Sequence, residues 1–383
     1  MKILHVVPSL DLTTGGPSES VPMTALSQLQ VGADVGIAAF RIPEESLKAR
    51  EAARAGVRMH RFGRLPHRID PMSISLDMIL HFETVARDYD VIITHCNWMF
   101  PIWWAAHVAR KLGKPYYMMP RGSFAPERLK ISRWKKCLVG WIDRHYARHS
   151  RAIWATSESE AEGARKYVPG AKTEVFPIGL DVAKYGKVGV RDEGGRRTLL
   201  FFSRISPIKG LDLLVEAWSR IQSNNQTIPN QTIWKLLIVG PDDRGYTEVI
   251  KKMFAAKCPA GSFEFRGPVY GETKISLLAS ADAFILPTRN ENWGIAVAEA
   301  MASGLPVICT KGAPWSCLDA ENAGRWVDVS VEGIQKGIED ILSLADDERR
   351  AMGARGRRWA EVNLAWRVIA KKMLESLGVQ VNG

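Results

Sequence analysis

Residues 286–304 read LPTRNENWGIAVAEAMASG, and the order of these residue types decides how the C-terminal half folds. An aliphatic run stops at Pro287, a polar loop carries Glu291 and Gly294, and a helix over about Ile295–Ser303 closes on Gly304, the residue type that favours a left-handed C-terminal cap. Free amides near Gly294 and Ile295, at the positive end of the helix dipole, make a site for an anionic phosphate. Glu291 precedes the helix and Glu299 lies more than one turn into it, so two carboxylates can grip two parts of one extended ligand. Pairs of adjacent hydroxyls, on a sugar and on a ribose, are their natural targets. Ala296, Val297, Ala298, Ala300 and Met301 make this helix apolar nearly all round, so Glu299 needs a polar partner.

Upstream, residues 199–210 read LLFFSRISPIKG and lead into the amphipathic run LDLLVEAW. Arg204 ends one strand and Lys209 opens the following helix, so both sit above the carboxyl edge of a sheet, where open α/β sheets bind ligands. Two such cations suit a diphosphate and would stabilise it as a leaving group.

The same alternation of short aliphatic runs and helical periods fills the chain and predicts βαβ units with parallel sheets. Strands are expected at Lys2–Val7, Asp34–Ala39, Val91–His95, Tyr116–Met119, Ala152–Thr156 and Thr173–Phe176. A second set follows at Thr198–Ser203, Lys235–Val239, Ser262–Phe265, Ala283–Leu286, Val307–Thr310 and Gly324–Val327. The polar, glycine-rich stretch Tyr185–Thr198 reads as a linker. The expected fold is therefore two Rossmann-like α/β domains facing across a cleft, over residues 1–190 and 191–365. A C-terminal helix, 366–383, would cross back to the first domain, its apolar face carrying Trp366, Ile369 and Met373.

With 383 residues, 46% hydrophobic and 24% charged, the chain can bury two sizeable cores. The start, MKILHVVPSL, reads as a buried strand and not a signal peptide, and no stretch reaches the roughly 20 apolar residues that span a bilayer. Five scattered cysteines form no C-x-x-C pair and no metal cluster, which fits a reduced cytoplasm and no metal cofactor. The net charge of +11 is uneven: residues 121–151 hold nine Arg or Lys against Glu127 and Asp143. Within 128–151 the cations interleave with Trp134, Leu138, Trp141 and Ile142, a basic amphipathic pattern that suits an anionic membrane surface. The alternative is a packed apolar face with solvated cations. No binding motif accompanies the charge, so nucleic acid is not an expected partner.

The Glu-x7-Glu segment (Glu291, Glu299), the Ser203-Arg204-x4-Lys209-Gly210 segment and the two-domain layout together resemble the family 4 glycosyltransferases of the GT-B fold, over nearly the whole chain. The resemblance implies a retaining, metal-independent transfer from a nucleoside-diphosphate sugar, UDP- or GDP-linked, to a glycan or lipid-linked acceptor of envelope polysaccharide synthesis. It also implies that Arg204 and Lys209 bind the diphosphate, Glu291 the transferred sugar and Glu299 the ribose, with Trp293, Gly294 and Ile295 beside them. Arg266, Gly267 and Val269 look like the loop that holds the base. Asp11–Ser18 resembles the family's glycine-rich loop, with Gly16 at the donor. His95 and Arg121 end two strands of the first domain and are expected to face the cleft. Arg121 stands where family members often carry His; a guanidinium stays charged and binds rather than acting as a base. His95 would polarise an acceptor hydroxyl or complete a polar network.

Three other readings share parts of this pattern. A GT-B nucleotide-sugar 2-epimerase would need no acceptor. A nicotinamide-dependent oxidoreductase has similar sheets, but no G-x-G-x-x-G follows an expected strand. A non-catalytic, nucleotide-sugar-binding protein at the membrane surface would bind without turnover.

Overall fold

The computed structural model describes residues 1–11, 16–42, 44–63, 72–124, 133–186, 196–223 and 234–380, and the side chains of 133–138 are outside that description. Leu12–Gly15 of the glycine-rich loop, residues 128–132 of the basic patch and most of the expected linker therefore lie outside the described residues. Two compact units result: Met1–Gly179 with Trp366–Gly383, and Leu180–Ala365. The chain passes between units at Gly179–Leu180, just before the glycine-rich stretch from Tyr185 expected to join them, because Leu180 already pairs with the second unit, its amide donating to Leu364 O at 2.7 Å.

The first unit runs β1 (Lys2–Val6), α1 (Gly16–Gln30), β2 (Asp34–Phe40), α2 (Leu47–Arg54), β3 (Arg58–Phe62), α3 (Leu76–Arg87), β4 (Val91–His95), α4 (Phe100–Lys111), β5 (Tyr116–Met119), α5 (Arg133–His149), β6 (Ile153–Ala155), α6 (Glu158–Tyr167) and β7 (Thr173–Val175). Its parallel sheet has the order β3-β2-β1-β4-β5-β6-β7. Strands such as β4 are buried at every position, as a sheet covered on both faces requires. The strand β3, RMHRF, was not expected from the sequence. It lies at the sheet edge, where Arg58 pairs with Asp34 at 2.8 Å and Arg61 with Glu45 at 2.6 Å, so it needs little apolar patterning.

The second unit carries β8 (Arg197–Phe202), α7 (Leu211–Ser223), β9 (Trp234–Val239), α8 (Tyr246–Lys257), β10 (Phe263–Arg266), α9 (Gly271–Ser280), β11 (Ala283–Leu286), α10 (Ile295–Ala302), β12 (Val307–Thr310), α11 (Cys317–Ala320), β13 (Gly324–Val327), α12 (Val331–Leu342) and α13 (Asp346–Leu364). The sheet order is β10-β9-β8-β11-β12-β13, again parallel. The last helix, α14 (Trp366–Ser376), belongs to the first unit, where Ile369, Met373 and Leu374 join the core beside α1.

On α5 the inward face is Gly140, Asp143 and Ala147, while Trp141, placed by sequence on an apolar face, is 64% exposed. Asp143 is fully buried and accepts from Trp103 Nε1 at 2.5 Å and Trp98 N at 3.3 Å. Burial pushes its carboxyl up to about 7. The folded group thus keeps a proton that the unfolded chain loses near pH ~3.9, and native stability falls as pH rises from about 4 to about 7. Asp143→Asn removes that penalty, so its thermal midpoint relative to the parent is expected to be higher at about pH 8 than at about pH 5. An equal difference at both values would show that Asp143 does not titrate in the fold.

Candidate functional site

In the second unit the strand order reverses between β8 and β11, which pair through Leu200 and Phe284, so the loops leaving these two strands diverge and leave a crevice. After β8 the chain makes a 3-10 turn over Pro207–Lys209 and then Gly210, at φ +68, where a Cβ would lie 2.0 Å from Pro287 O. Only glycine permits both that backbone and that approach. The two loops are laced together: Arg289 N donates to Ile208 O at 2.8 Å, Thr288 Oγ1 to the same oxygen at 3.1 Å, and Arg289 grips both Asp212 oxygens at 2.6 Å. Lys209 is thereby held against Glu291, and the two form an ion pair with side chains 13% and 23% exposed.

Glu291 N donates to Gly312 O at 2.7 Å, which ties the loop to the end of β12. Gly294 caps α10 at φ +79, and a Cβ there would come within 3.1 Å of Glu291 and 3.3 Å of Trp315 Nε1. Trp315 Nε1 donates to Trp293 O at 2.5 Å and the two indoles pack with centroids 4.6 Å apart at a tilt of 41°, so Trp293 is packed beneath the loop. Ile295, at the helix start, is 44% exposed. Arg204 is exposed and has no ion pair among the described residues. The rim thus combines an open cation, a Lys–Glu pair and the amide end of a helix, the donors an extended anionic ligand with hydroxyls requires.

Glu299 is 5% exposed, and the partner its surroundings demand is double: Tyr185 Oη donates to Oε1 at 3.0 Å and Lys274 Nζ at 2.6 Å. Burial first, then the charge of Glu299, raises the Tyr185 phenol, so it remains a donor. Both contacts use Oε1, which points the carboxylate as a fixed acceptor. Arg266 ends β10 exposed and pairs with Glu264 at 2.6 Å; Gly267 follows with no described atom within 4 Å of a built Cβ, and Val269 is half-buried. Sequence reasoning missed Arg289, Asp212, Tyr185 and Lys274. The first two lie inside the quoted segments as opposite charges, a signal that was available; the other two approach Glu299 from distant parts of the chain.

In the first unit the expectation for His95 is corrected. It is fully buried, and both ring nitrogens are engaged: Arg121 Nε donates to Nδ1 at 3.3 Å and Nε2 meets His5 Nδ1 at 2.8 Å. Since the guanidinium only donates, His95 Nε2–H donates to His5, and His5 Nε2–H donates to Gln28 Oε1 at 2.7 Å. Burial lowers His5 to about 4 and His95 well below its usual range, and the Arg121 charge adds to both. Two neutral imidazoles with no free nitrogen complete a network and do not polarise an acceptor. Arg121 likewise turns inward, donating to Ser20 Oγ at 3.1 Å and Thr24 Oγ1 at 3.2 Å. Gly16 begins α1, and no described atom lies within 4 Å of a Cβ built on it, so no contact among the described residues requires glycine there.

A family model described as "Glycosyl transferases group 1" matches residues 189–359, and one described as "Glycosyl transferase 4-like domain" matches residues 15–179. The chain is a family 4 glycosyltransferase. Its two Rossmann-like units are those of the GT-B fold. Among relatives, this glycosyltransferase is 28% identical, over 90% of its length and 87% of the relative's, to the GDP-mannose:cellobiosyl-diphosphopolyprenol alpha-mannosyltransferase of Xanthomonas oryzae. It is 30% identical to a GDP-mannose-dependent alpha-(1-6)-phosphatidylinositol monomannoside mannosyltransferase of Mycolicibacterium smegmatis, over 56% of its own chain and 58% of that protein. That second match, like the one to the Xanthomonas campestris enzyme at 59%, spans under two thirds of the relative. Among solved structures, Anabaena HepE in complex with UDP superposes with a TM-score of 0.73 at 16% identity, covering 99% of this glycosyltransferase and 100% of HepE. A Rickettsia africae glycosyltransferase gives 0.72 at 18% identity, with 98% and 97% covered.

Because the turn at Gly210 sets the Lys209–Glu291 contact, Gly210→Ala is expected to cost about 2 kcal/mol or more. Urea unfolding measures this, and an unshifted midpoint would mean that the two loops separate freely.

Proposed function

We propose that this glycosyltransferase moves a hexose, with retention, from GDP-mannose or a close GDP-hexose to a saccharide carried on a lipid, in the building of an envelope polysaccharide. One observation carries the reading: the Lys209–Glu291 pair beside the start of α10, with exposed Arg204 on the neighbouring strand end. Arg204, Lys209 and the amides near Ile295 would take the diphosphate, Glu291 the hydroxyls of the sugar, Glu299 the ribose diol, and the turn of Arg266, Gly267 and Val269 the base. A ligand with this order of groups replaces the ion pair without leaving either charge unpaired. In the transfer the anomeric C–O bond to phosphate breaks and the bond to the acceptor oxygen forms on the same face. The acceptor's proton passes to the departing phosphate oxygen, whose charge the two cations stabilise, so no metal ion is needed. The preference for guanine rests on the mannosyltransferase relatives; UDP is the other outcome, as bound by HepE.

Thermal shifts with GDP, UDP and ADP separate the bases, since a ligand at about 100 times its Kd adds about 2.7 kcal/mol. Lys209→Ala and Glu291→Ala are expected to lose about 100-fold or more of turnover with the fold intact; near-parental turnover in either variant would sink the assignment. Donor consumption that continues without any acceptor would instead favour the 2-epimerase.

We further propose that the enzyme works at the cytoplasmic face of a membrane, docking through α5. Arg148 and exposed Trp141 lie on its outer side, followed by Arg151. Among the described residues no helix is long and apolar enough to cross a membrane, so the contact would be at the surface. The protein is expected to sediment with vesicles containing phosphatidylglycerol and not with purely zwitterionic ones, and Trp141→Ala to weaken that binding; equal recovery with both vesicle types would exclude the role of charge.

A further inference from the structure

The helix α3 carries apolar residues on two sides, although packing on a sheet needs only one stripe. Met78, Phe82 and Ala86 face inward and join the core shared with α4 and with Ala147 of α5. Ile74, just before the helix, and Leu76 and Leu80 within it are 45%, 74% and 70% exposed. No other span of seven described residues leaves more than one large apolar side chain so exposed. Single exposed leucines are ordinary, but a cluster of them marks a contact surface. Leu76 and Leu80 are about one turn apart and share a face. The surface continues onto α4, where half-buried Phe100 and Trp104 stack at 5.9 Å and Trp104 stacks on exposed His107 at 5.3 Å.

The cations beside this patch decide what covers it. Arg87 of α3 and Lys111 of α4 share one carboxylate, Glu83, at 2.5 Å each, which joins the two helices and leaves one positive charge in excess. Arg110 donates to His145 Nε2 at 2.6 Å and so joins α4 to α5. A guanidinium only donates, so this ring is neutral and does not offset the charge of Arg110. A second copy of the chain, docked face to face about a two-fold axis, would set these cations against their own copies. An anionic lipid surface takes the leucines and the charges together. The order of the two groups along the helices is also fixed. Each helix returns the chain from the carboxyl to the amino edge of the parallel sheet, so Leu76, which begins α3, lies toward the carboxyl edge, while Arg87, Arg110 and Lys111, at helix ends, lie toward the amino edge.

We propose that Ile74, Leu76 and Leu80 are an apolar anchor that inserts beneath the headgroups of an anionic membrane, while Arg87, Arg110 and Lys111 meet the lipid phosphates. The anchor turns the carboxyl edge of the first sheet toward the lipid. It rests on the membrane docking proposed above and adds an apolar contact to the one made by α5. The test sediments the full chain with vesicles of phosphatidylcholine and phosphatidylglycerol at about 0.1 M and about 1 M salt, between which the screening length falls from about 10 Å to about 3 Å. Insertion is not screened, so the parent is expected to keep a bound fraction at the higher salt. Leu76→Ser and Leu80→Ser are each expected to weaken that residual binding about tenfold, and Leu80→Phe to retain it, with GDP affinity and melting profile at parental values in all three. Leucine variants that sediment like the parent, while Trp141→Ala does not, would overturn the anchor and leave docking through α5 standing. A parent that binds no vesicles would overturn both. A concentration-dependent dimer of the parent in sedimentation velocity, lost in the leucine variants, would overturn the anchor in favour of a second copy of the chain.

Discussion

The close approach of two backbone turns, Gly210 under the carbonyl of Pro287, is the contact on which the second unit's rim depends. Parallel pairing of β8 with β11 brings the two strand ends together, but the loops beyond them would splay without that contact. Glycine at 210 lets them meet, and Arg289 then locks the meeting by spanning Pro207, Ile208 and Asp212. The ion pair of Lys209 with Glu291 follows from this geometry. Two oppositely charged groups are thus held at short range, each compensating the other's charge in a partly buried place.

The two units handle buried polarity differently. Behind the ends of β1, β4 and β5, a buried cation donates only to neutral acceptors, with the charge of Glu160 favouring it from nearby: Arg121 feeds His95, His95 feeds His5, and His5 feeds Gln28, while Ser20 and Thr24 each take one further guanidinium N–H. The direction of every proton in the chain is set by the one member that can only donate. Glu160 answers in kind nearby, collecting the amides of Gly122 and Thr156 while burial raises its carboxyl. Both nitrogens of His95 are engaged in this chain, which is why it reads as structural.

In the second unit Glu291 and Glu299, the two carboxylates proposed to hold the donor, both have partners. Glu299 would be an expensive residue inside α10 without Tyr185 and Lys274, and both partners donate to the same oxygen, Oε1. Trp315 and Trp293 serve the loop in the same way from below, so Gly294 and the helix start are supported on a packed floor.

Read alone, the residues determined the alternation of strands and helices, the doubly wound class of both units, and the segments that meet at the second rim. Those properties are local: a run of aliphatic residues in a covered strand, a proline that ends it and a glycine that caps a helix act over a few neighbours. Twelve strands were legible for that reason, and β3 was not, since this edge strand is built from arginines, a methionine, a histidine and a phenylalanine and is held by ion pairs. The candidate residues at 204, 209, 291 and 299 were legible because each stands beside a strand end or in an apolar helix. Partners remote in the chain were not. That His95 is closed off by His5 and Arg121, that Trp141 points outward while Asp143 points inward, and that Lys274 serves Glu299 are decided only when distant elements pack, because hydrogen bonding and burial depend on what arrives from elsewhere in the chain.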